Sequence, residues 1–220
     1  MPGRYRDTHP WALYGLRITT PRLVLRMPDD EDLAELFEAA RAGIHPAGEM
    51  PFGIPWTDGL QEPQAATRFL AYHWESRGAI KPESWRLPLV VVSEDRIIGN
   101  QELAADDFAG SRSVSSGSWL TQSAQRKGFG LEMRAAVLHL AFAGLGALEA
   151  QTSAWHDNPA SQHVSLRLGY EHEGQMLMAR RGAPTAHLRF RLTRERWEET
   201  RRDDIALHGL EPCLPLLGAA

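Results

Sequence analysis

Between residues 119 and 130 the chain reads WLTQSAQRKGFG, and a run rich in Leu, Ala and Val continues from there to residue 143. Few arrangements accommodate such a segment: a strand ends, a short loop carries two glycines, and a long helix with apolar residues nearly all round must then be buried. Gly128 and Gly130 permit close backbone approach to a ligand, and the unpaired N–H groups and dipole of a helix start favour an anion such as a pyrophosphate. Arg126 and Lys127 add positive charge at the mouth. An ordinary helix N-terminus has the same layout, so the flanking segments must decide. Two other phosphate loops are excluded on spacing, because the chain has neither GxxxxGK[ST] nor a GxGxxG that opens a βαβ unit.

Upstream, residues 22–27 (RLVLRM) alternate as a half-buried strand behind Pro21, and Asp29 and Asp30 offer an N-cap to a helix bearing Leu33, Leu36, Phe37 and Ala40. Residues 42–60 are rich in Gly and Pro yet carry Met50, Phe52, Ile54 and Trp56, the pattern of a loop that covers a pocket. Residues 63–77 form a second helix, followed by a meander of three β-rich runs at 87–93, 97–105 and 113–121. After the helix at 131–143 come a fifth strand (148–155), a helix (159–168) and a hairpin (170–179 and 185–192) around Arg181-Gly182. The reading is one α+β domain over residues 16–200, with a loose lead-in at 1–15 and a C-terminal tail at 201–220 that is weakly ordered from about Leu207.

With 220 residues, 43% of them hydrophobic, the chain can bury one substantial core, and a net charge of −4 gives no general attraction to nucleic acid or an anionic membrane. The single cysteine, Cys213, allows neither an intrachain disulfide nor a cysteine metal site, and the histidines show no HxxxH or HExxH spacing, so no metal is expected. No apolar run approaches the roughly 20 residues that cross a bilayer, and the first ten residues lack the apolar core of an export signal. A soluble cytoplasmic protein is the expectation.

The segment Gln125-Arg126-Lys127-Gly128-Phe129-Gly130 resembles the coenzyme A pyrophosphate signature of the GNAT acetyltransferases. Thr20-Pro21-Arg22-Leu23-Val24-Leu25-Arg26, followed by Asp32-Leu33, is similar to the opening of the RimJ/RimL branch of bacterial enzymes. That branch acetylates protein N-termini and several small amines. Asp157-Asn158-Pro159-Ala160-Ser161, Arg167-Leu168-Gly169-Tyr170 and Glu173-Gly174 resemble its later helix and closing strand, so the likeness extends over about residues 16–199.

The resemblance implies a mostly antiparallel mixed sheet with helices on both faces and a gap where the fourth strand (113–121) splays from the fifth (148–155). It implies acetyl-CoA as cosubstrate, a small-molecule or peptide amine as acceptor, and a homodimer as the common assembly. Trp119, Leu120, Thr121, Gln125, Arg126, Lys127, Gly128, Phe129, Gly130, Asn158 and Ser161 would then hold the cosubstrate. A backbone N–H near Trp119 or Leu120 would stabilise the oxyanion, with Leu120 as the catalytic position. Ser161 would lie near the thioester sulfur and protonate the leaving thiolate; the tyrosine many relatives use as general acid is replaced by Ser165.

For the general base Glu102 is the first candidate and His156 the second, with His45, Glu49 and His73 available from the helical cover; Ser115 and Ser116 stand where many relatives carry a glutamate. Met50, Phe52, Trp56, Trp74 and Trp85 suit either an aromatic cover over the acceptor or an ordinary core. The rival function is a non-catalytic acyl-CoA-binding module that has lost its base.

Overall fold

Alternating and β-branched runs build a single nine-stranded sheet in the computed structural model, which describes residues 9–219. The strands are β1 (Arg17–Thr19), β2 (Val24–Arg26), β3 (Ser84–Ser93), β4 (Arg96–Asp106), β5 (Ser113–Leu120), β6 (Glu149–Trp155), β7 (Glu171–Arg180), β8 (Ala183–Thr193) and β9 (Ala206–His208). Their order is β7-β8-β6-β5-β4-β3-β2-β1-β9, and every pairing is antiparallel except β5 with β6. A parallel pair needs a crossover, and the long apolar helix supplies it.

Among the described residues six α-helices accompany the sheet: α1 (Asp30–Arg41), α2 (Ala65–Gly78), α3 (Phe108–Ser111), α4 (Phe129–His139), α5 (Pro159–Arg167) and α6 (Arg194–Thr200). Asp29 caps α1 through a reciprocal capping box with Asp32, and Leu33, Leu36, Phe37 and Ala40 turn its apolar stripe onto the sheet. On the opposite face α4 buries Met133, Ala136, Val137 and Leu138 in the main core together with Leu103, Val114 and Leu120. Helices thus cover both faces, as expected. The hairpin turn also stands where it was placed, with positive φ at Arg181 and Gly182 as a two-residue turn of primed type requires.

Two expectations are corrected. The C-terminal tail is not weakly ordered: β9 pairs with β1, Cys213 and Leu217 are fully buried, and the Leu217 carbonyl accepts from Trp85 Nε1 at 3.0 Å. Leu13 and Leu16 are likewise fully buried, so the described part of the lead-in belongs to the main core; residues 1–8 lie outside the described residues. Both ends contribute only three-residue strands, too short to show a period of two. Of the two readings left open for the aromatics, Trp85 takes that of an ordinary core residue, and Trp74 fits neither. Trp85 packs in the main core against Phe108 at 5.7 Å, while Trp74 is 47% exposed and donates to Asp30 Oδ1 at 3.2 Å.

Candidate active site

Pairing between β5 and β6 stops early. Ser113, Val114 and Ser115 face Glu149, Ala150 and Gln151, but β5 runs on to Leu120 and β6 to Trp155 with no further rungs. The two strands diverge from Ser116 and Thr152 onward, leaving a wedge-shaped gap. Thr152 Oγ1 donates to the Ser116 carbonyl at 3.1 Å, so that carbonyl points into the gap, whereas Thr121 N–H donates to Ile98 of β4. Because backbone direction alternates along a strand, the N–H groups of Ser118 and Leu120 also face the gap, and that of Trp119 faces β4. Leu120 is therefore the last residue of β5 with an amide aimed into the gap. A Cβ at Gly117 would meet nothing within 4 Å, so the α1/α2 side of the gap is open there.

At the wide end of the gap the chain turns through Gln122–Ala124 and enters α4. Gly128 is the N-cap residue with φ +84°, and it brings no side chain to cap the first turn. The first-turn N–H groups, the helix dipole and the neighbouring Arg126 and Lys127 make the local field favourable to negative charge. Arg22 roofs this turn: its guanidinium donates to the Lys127 carbonyl at 3.0 Å, lies 4.6 Å from the centre of the Phe129 ring, and pairs with Glu132 at 2.6 Å. Burial pushes the Glu132 carboxyl up, but bonds from Thr20 and Arg22 outweigh it and hold the group below its ordinary range. Arg22 and Glu132 were absent from the sequence-based site; the available signal was an acidic residue in the first turn of an apolar helix.

Gln125 serves differently from the other loop residues, because its side-chain amide donates to the carbonyls of Ile44 (2.6 Å) and Leu120 (2.9 Å) and so ties the 42–60 segment to the end of β5. Trp155 Nε1 to the Phe52 carbonyl (3.1 Å) and Arg181 Nε to Asp58 (3.0 Å) hold the same segment from β6 and from the hairpin tip. Within it Phe52 meets Trp56 (5.3 Å), and Trp56 meets Phe69 of α2 (6.0 Å) and Trp119 of β5 (5.9 Å). This aromatic chain forms a wall beside the gap on the α1/α2 face.

Glu102 lies on that face, directly opposite Gly117 in the β4–β5 register. Tyr72 Oη donates to Glu102 Oε2, and Arg86 Nη1 lies 3.4 Å from Oε1. Burial and the adjacent Glu102 charge push the Tyr72 phenol up, so Tyr72 remains the donor. The other base candidates stand apart. His73 is buried against Phe69, and burial, with the Arg77 charge second, lowers its imidazole to about 4 and keeps it neutral. His45 is engaged with Thr57 (2.8 Å) and the Pro46 carbonyl (2.9 Å), Glu49 is exposed on the cover, and His156 is exposed beyond β6.

Asn158 caps α5, its Oδ1 accepting from Ser161 N–H at 3.1 Å with Pro159 at the first helical position. Ser165 is fully buried and donates to the Ser161 carbonyl at 3.1 Å, so its hydroxyl does not substitute for a tyrosine. Cys213 donates to the Gly209 carbonyl in the far core, and burial raises its thiol to about 11. Among the described residues no group of histidines, cysteines and carboxylates is arranged to hold a metal ion.

Residues 22–171 match the family described as acetyltransferase (GNAT) domain. Among solved structures, Mycobacterium smegmatis RimJ in complex with CoA-disulfide is 18% identical, with a TM-score of 0.66 over 84% of this chain and 92% of that one. A GCN5-related N-acetyltransferase from Brucella melitensis is 16% identical, with a TM-score of 0.66 over 83% of this chain and 80% of that one. RimL, a ribosomal L7/L12 α-N-protein acetyltransferase in complex with coenzyme A, is 16% identical, with a TM-score of 0.63 over 79% and 95%. At these identities the structural likeness is one of fold, which the early end of β5–β6 pairing shares with the expectation drawn from the motifs.

Proposed function

Because this chain belongs to the GNAT acetyltransferase family and so moves an acetyl group onto an amine, we propose that it does so by direct transfer from acetyl-CoA lying in the gap between β5 and β6. The observation that carries this reading is the end of β5–β6 pairing after Ser115 and Gln151, beside a helix whose N-cap is Gly128. The first turn of α4, with Arg126, Lys127 and Phe129 around Gly128 and Gly130, takes the pyrophosphate. Trp119, Leu120, Thr121, Asn158 and Ser161 border the pantetheine arm, and Gln125 contributes by fastening the cover to Leu120.

The acceptor enters on the α1/α2 face, along the Trp56, Phe69 and Trp119 wall, which favours an amine on a molecule with apolar surface, such as a peptide N-terminus or an aryl-bearing amine. Glu102 takes one proton from the ammonium, a group with an ordinary pKa of about 10.4 that must be neutral to attack. The nitrogen then adds to the thioester carbonyl, Leu120 N–H stabilises the oxyanion, and collapse breaks the C–S bond. The second nitrogen proton goes to the departing thiolate, near the Ser161 hydroxyl. Acetyl-CoA is an intracellular metabolite, which supports a cytoplasmic setting, and the organisms of the similar structures support a bacterial one.

Thermal unfolding with acetyl-CoA, CoA or ATP tests the site. A ligand held by the native state raises the midpoint by mass action, about 2.7 kcal/mol at 100 times its Kd. Both CoA species are expected to shift the midpoint and ATP is not; equal shifts would leave only a generic anion site. Replacing Glu102 by Gln keeps the Tyr72 bond and removes the proton acceptor, so kcat is expected to fall about 100-fold with little change in acetyl-CoA affinity. Undiminished turnover by that variant would assign the base elsewhere. CoA binding without turnover on any amine would instead favour the acyl-CoA-binding module.

A further inference from the structure

The narrow end of the gap holds a buried charge with no counter-charge. Arg134 of α4 is 4% exposed, and none of the ion pairs among the described residues includes it. Its Nη1 donates to Thr152 Oγ1 of β6 and its Nη2 to Ser118 Oγ of β5, both at 3.1 Å, so the guanidinium spans the two strands just where they part. Both partners are neutral. Burial drives the guanidinium pKa down, and the only neighbour that offsets it is the hydroxyl of Tyr170.

Unmet hydrogen-bonding capacity gathers at the same place. Seven buried side-chain atoms of the described residues lack a hydrogen-bond partner, and four of them are Arg134 Nε, Tyr170 Oη, Ser116 Oγ and Gln101 Oε1. Tyr170 Oη lies close enough to Arg134 and Ser116 to interact with both, but no partner stands in good hydrogen-bond geometry. Gln101 reaches the same strand, its Nε2 donating to the Gly117 carbonyl at 3.0 Å. Three of the four orphaned atoms bear hydrogens to donate, and one belongs to a cation. Water would meet the hydrogen bonds and leave the charge buried and uncompensated, a state that costs several kcal/mol. A carboxylate answers both needs, because a guanidinium and two hydroxyls donate to its oxygens.

We infer that the inner end of the gap is a carboxylate subsite, and that the protein takes the monoacyl group of a short dicarboxylic acid, succinyl for example, from its CoA thioester as well as acetyl. This rests on the transfer reading above, since the acyl group reaches Arg134 only if the thioester lies in the gap. With the thioester carbonyl on Leu120 N–H, Ser118 is two residues deeper, about 7 Å along the strand. The far carboxylate of a four-carbon diacid, together with the reach of the guanidinium, covers that span. The chemistry is unchanged: the C–S bond breaks, a C–N bond forms, one ammonium proton goes to Glu102 and the other to the thiolate, while the second carboxylate stays ionised on Arg134.

Calorimetric titration of the full chain with CoA, S-butyl-CoA and S-(3-carboxypropyl)-CoA tests the subsite without an acceptor amine. The two thioethers have the same number of carbons in the S-chain and differ in the terminal carboxylate. The carboxylated one is expected to bind at least 10-fold more tightly than the butyl one. Arg134→Met, neutral and similar in length, should erase that preference while leaving CoA affinity within 3-fold. Tyr170→Phe should reduce the preference partly, and gives a second readout if the Met variant does not fold. Equal affinity of the wild-type protein for both thioethers overturns the subsite, and so does an Arg134→Met variant that weakens all three ligands alike, which would make Arg134 only a brace between β5 and β6. If none of the three binds, the transfer reading itself fails first.

Discussion

Gly128→Glu is expected to leave a folded protein that no longer binds CoA. Gly128 sits at φ +84°, in the left-handed region, where a side chain costs roughly 1–2 kcal/mol. A carboxylate at a helix N-terminus recovers about 0.3–1 kcal/mol of that. The Cβ would meet only Arg22 Nη2, at 3.3 Å, the far end of a side chain that can move and pair with the new carboxylate. The net loss is about 1 kcal/mol, which for a chain of this size lowers Tm by roughly 2–4 °C. For the ligand the change is much larger, because a carboxylate fixed among the first-turn N–H groups stands where the pyrophosphate would. Two like charges about 4 Å apart repel by about 4 kcal/mol at an effective dielectric constant of 20. CoA affinity should therefore fall at least 100-fold by calorimetry while the melting curve stays cooperative. Gly128→Asn, which tolerates positive φ and adds no charge, should keep most of the binding. A folded Glu variant with unaltered CoA affinity would move the pyrophosphate away from the N-terminus of α4.

The parts of this site that follow one another along the chain were readable from residue order. The loop, its glycines and the start of α4 lie within a dozen residues whose β-formers, glycines and helix formers each act locally, and β5 ends at Leu120 against an expected 121. Asn158 before Pro159 is legible for the same reason, as a cap whose chemistry lies within three residues. The roof was not legible, because Arg22 and Glu132 are 110 residues apart and nothing periodic links them. Nor did aromatic content tell one face from another: Trp56 and Trp119 flank the gap, whereas Trp85 and Trp74, equally hydrophobic, point into the main core and to the outer surface. Arg134 was hidden for a third reason. Helical periodicity places it among Met133, Ala135 and Ala136 on a helix that is buried nearly all round, so its depth was implied. What could not be read was that no carboxylate of the described residues pairs with it.

Gly99→Ala is expected to be the most destabilising small substitution in the sheet, although Gly99 has no unusual φ. Its requirement is space. At the β4 irregularity Val91 pairs with Gly99 and Val92 with Ile97, so Ile98 is an extra residue, and the bulge presses β4 against the end of β5. A Cβ on Gly99 would stand 2.2 Å from the Trp119 carbonyl oxygen and 2.9 Å from Leu120 Cα, and backbone atoms cannot turn aside as a side chain does. The strands must separate by about 1 Å to restore contact distance, and this loosens the Gly99–Leu120 end of the ladder and the buried Leu120 side chain. Overpacking of this kind costs about 3 kcal/mol, equivalent to a Tm lower by roughly 6–12 °C. Gly117→Ala, three rungs away on the same strand pair with nothing within 4 Å of the new methyl, should change Tm by no more than about 2 °C. The two variants also divide function in opposite ways. Gly99→Ala displaces Leu120 N–H and should weaken acetyl-CoA binding together with stability, whereas Gly117→Ala adds bulk on the face proposed for the amine and should raise KM for the amine while acetyl-CoA affinity holds. If Gly99→Ala melts like the wild type, β4 and β5 are farther apart at this rung than the structure has them, and the direction of Leu120 N–H into the gap loses its support.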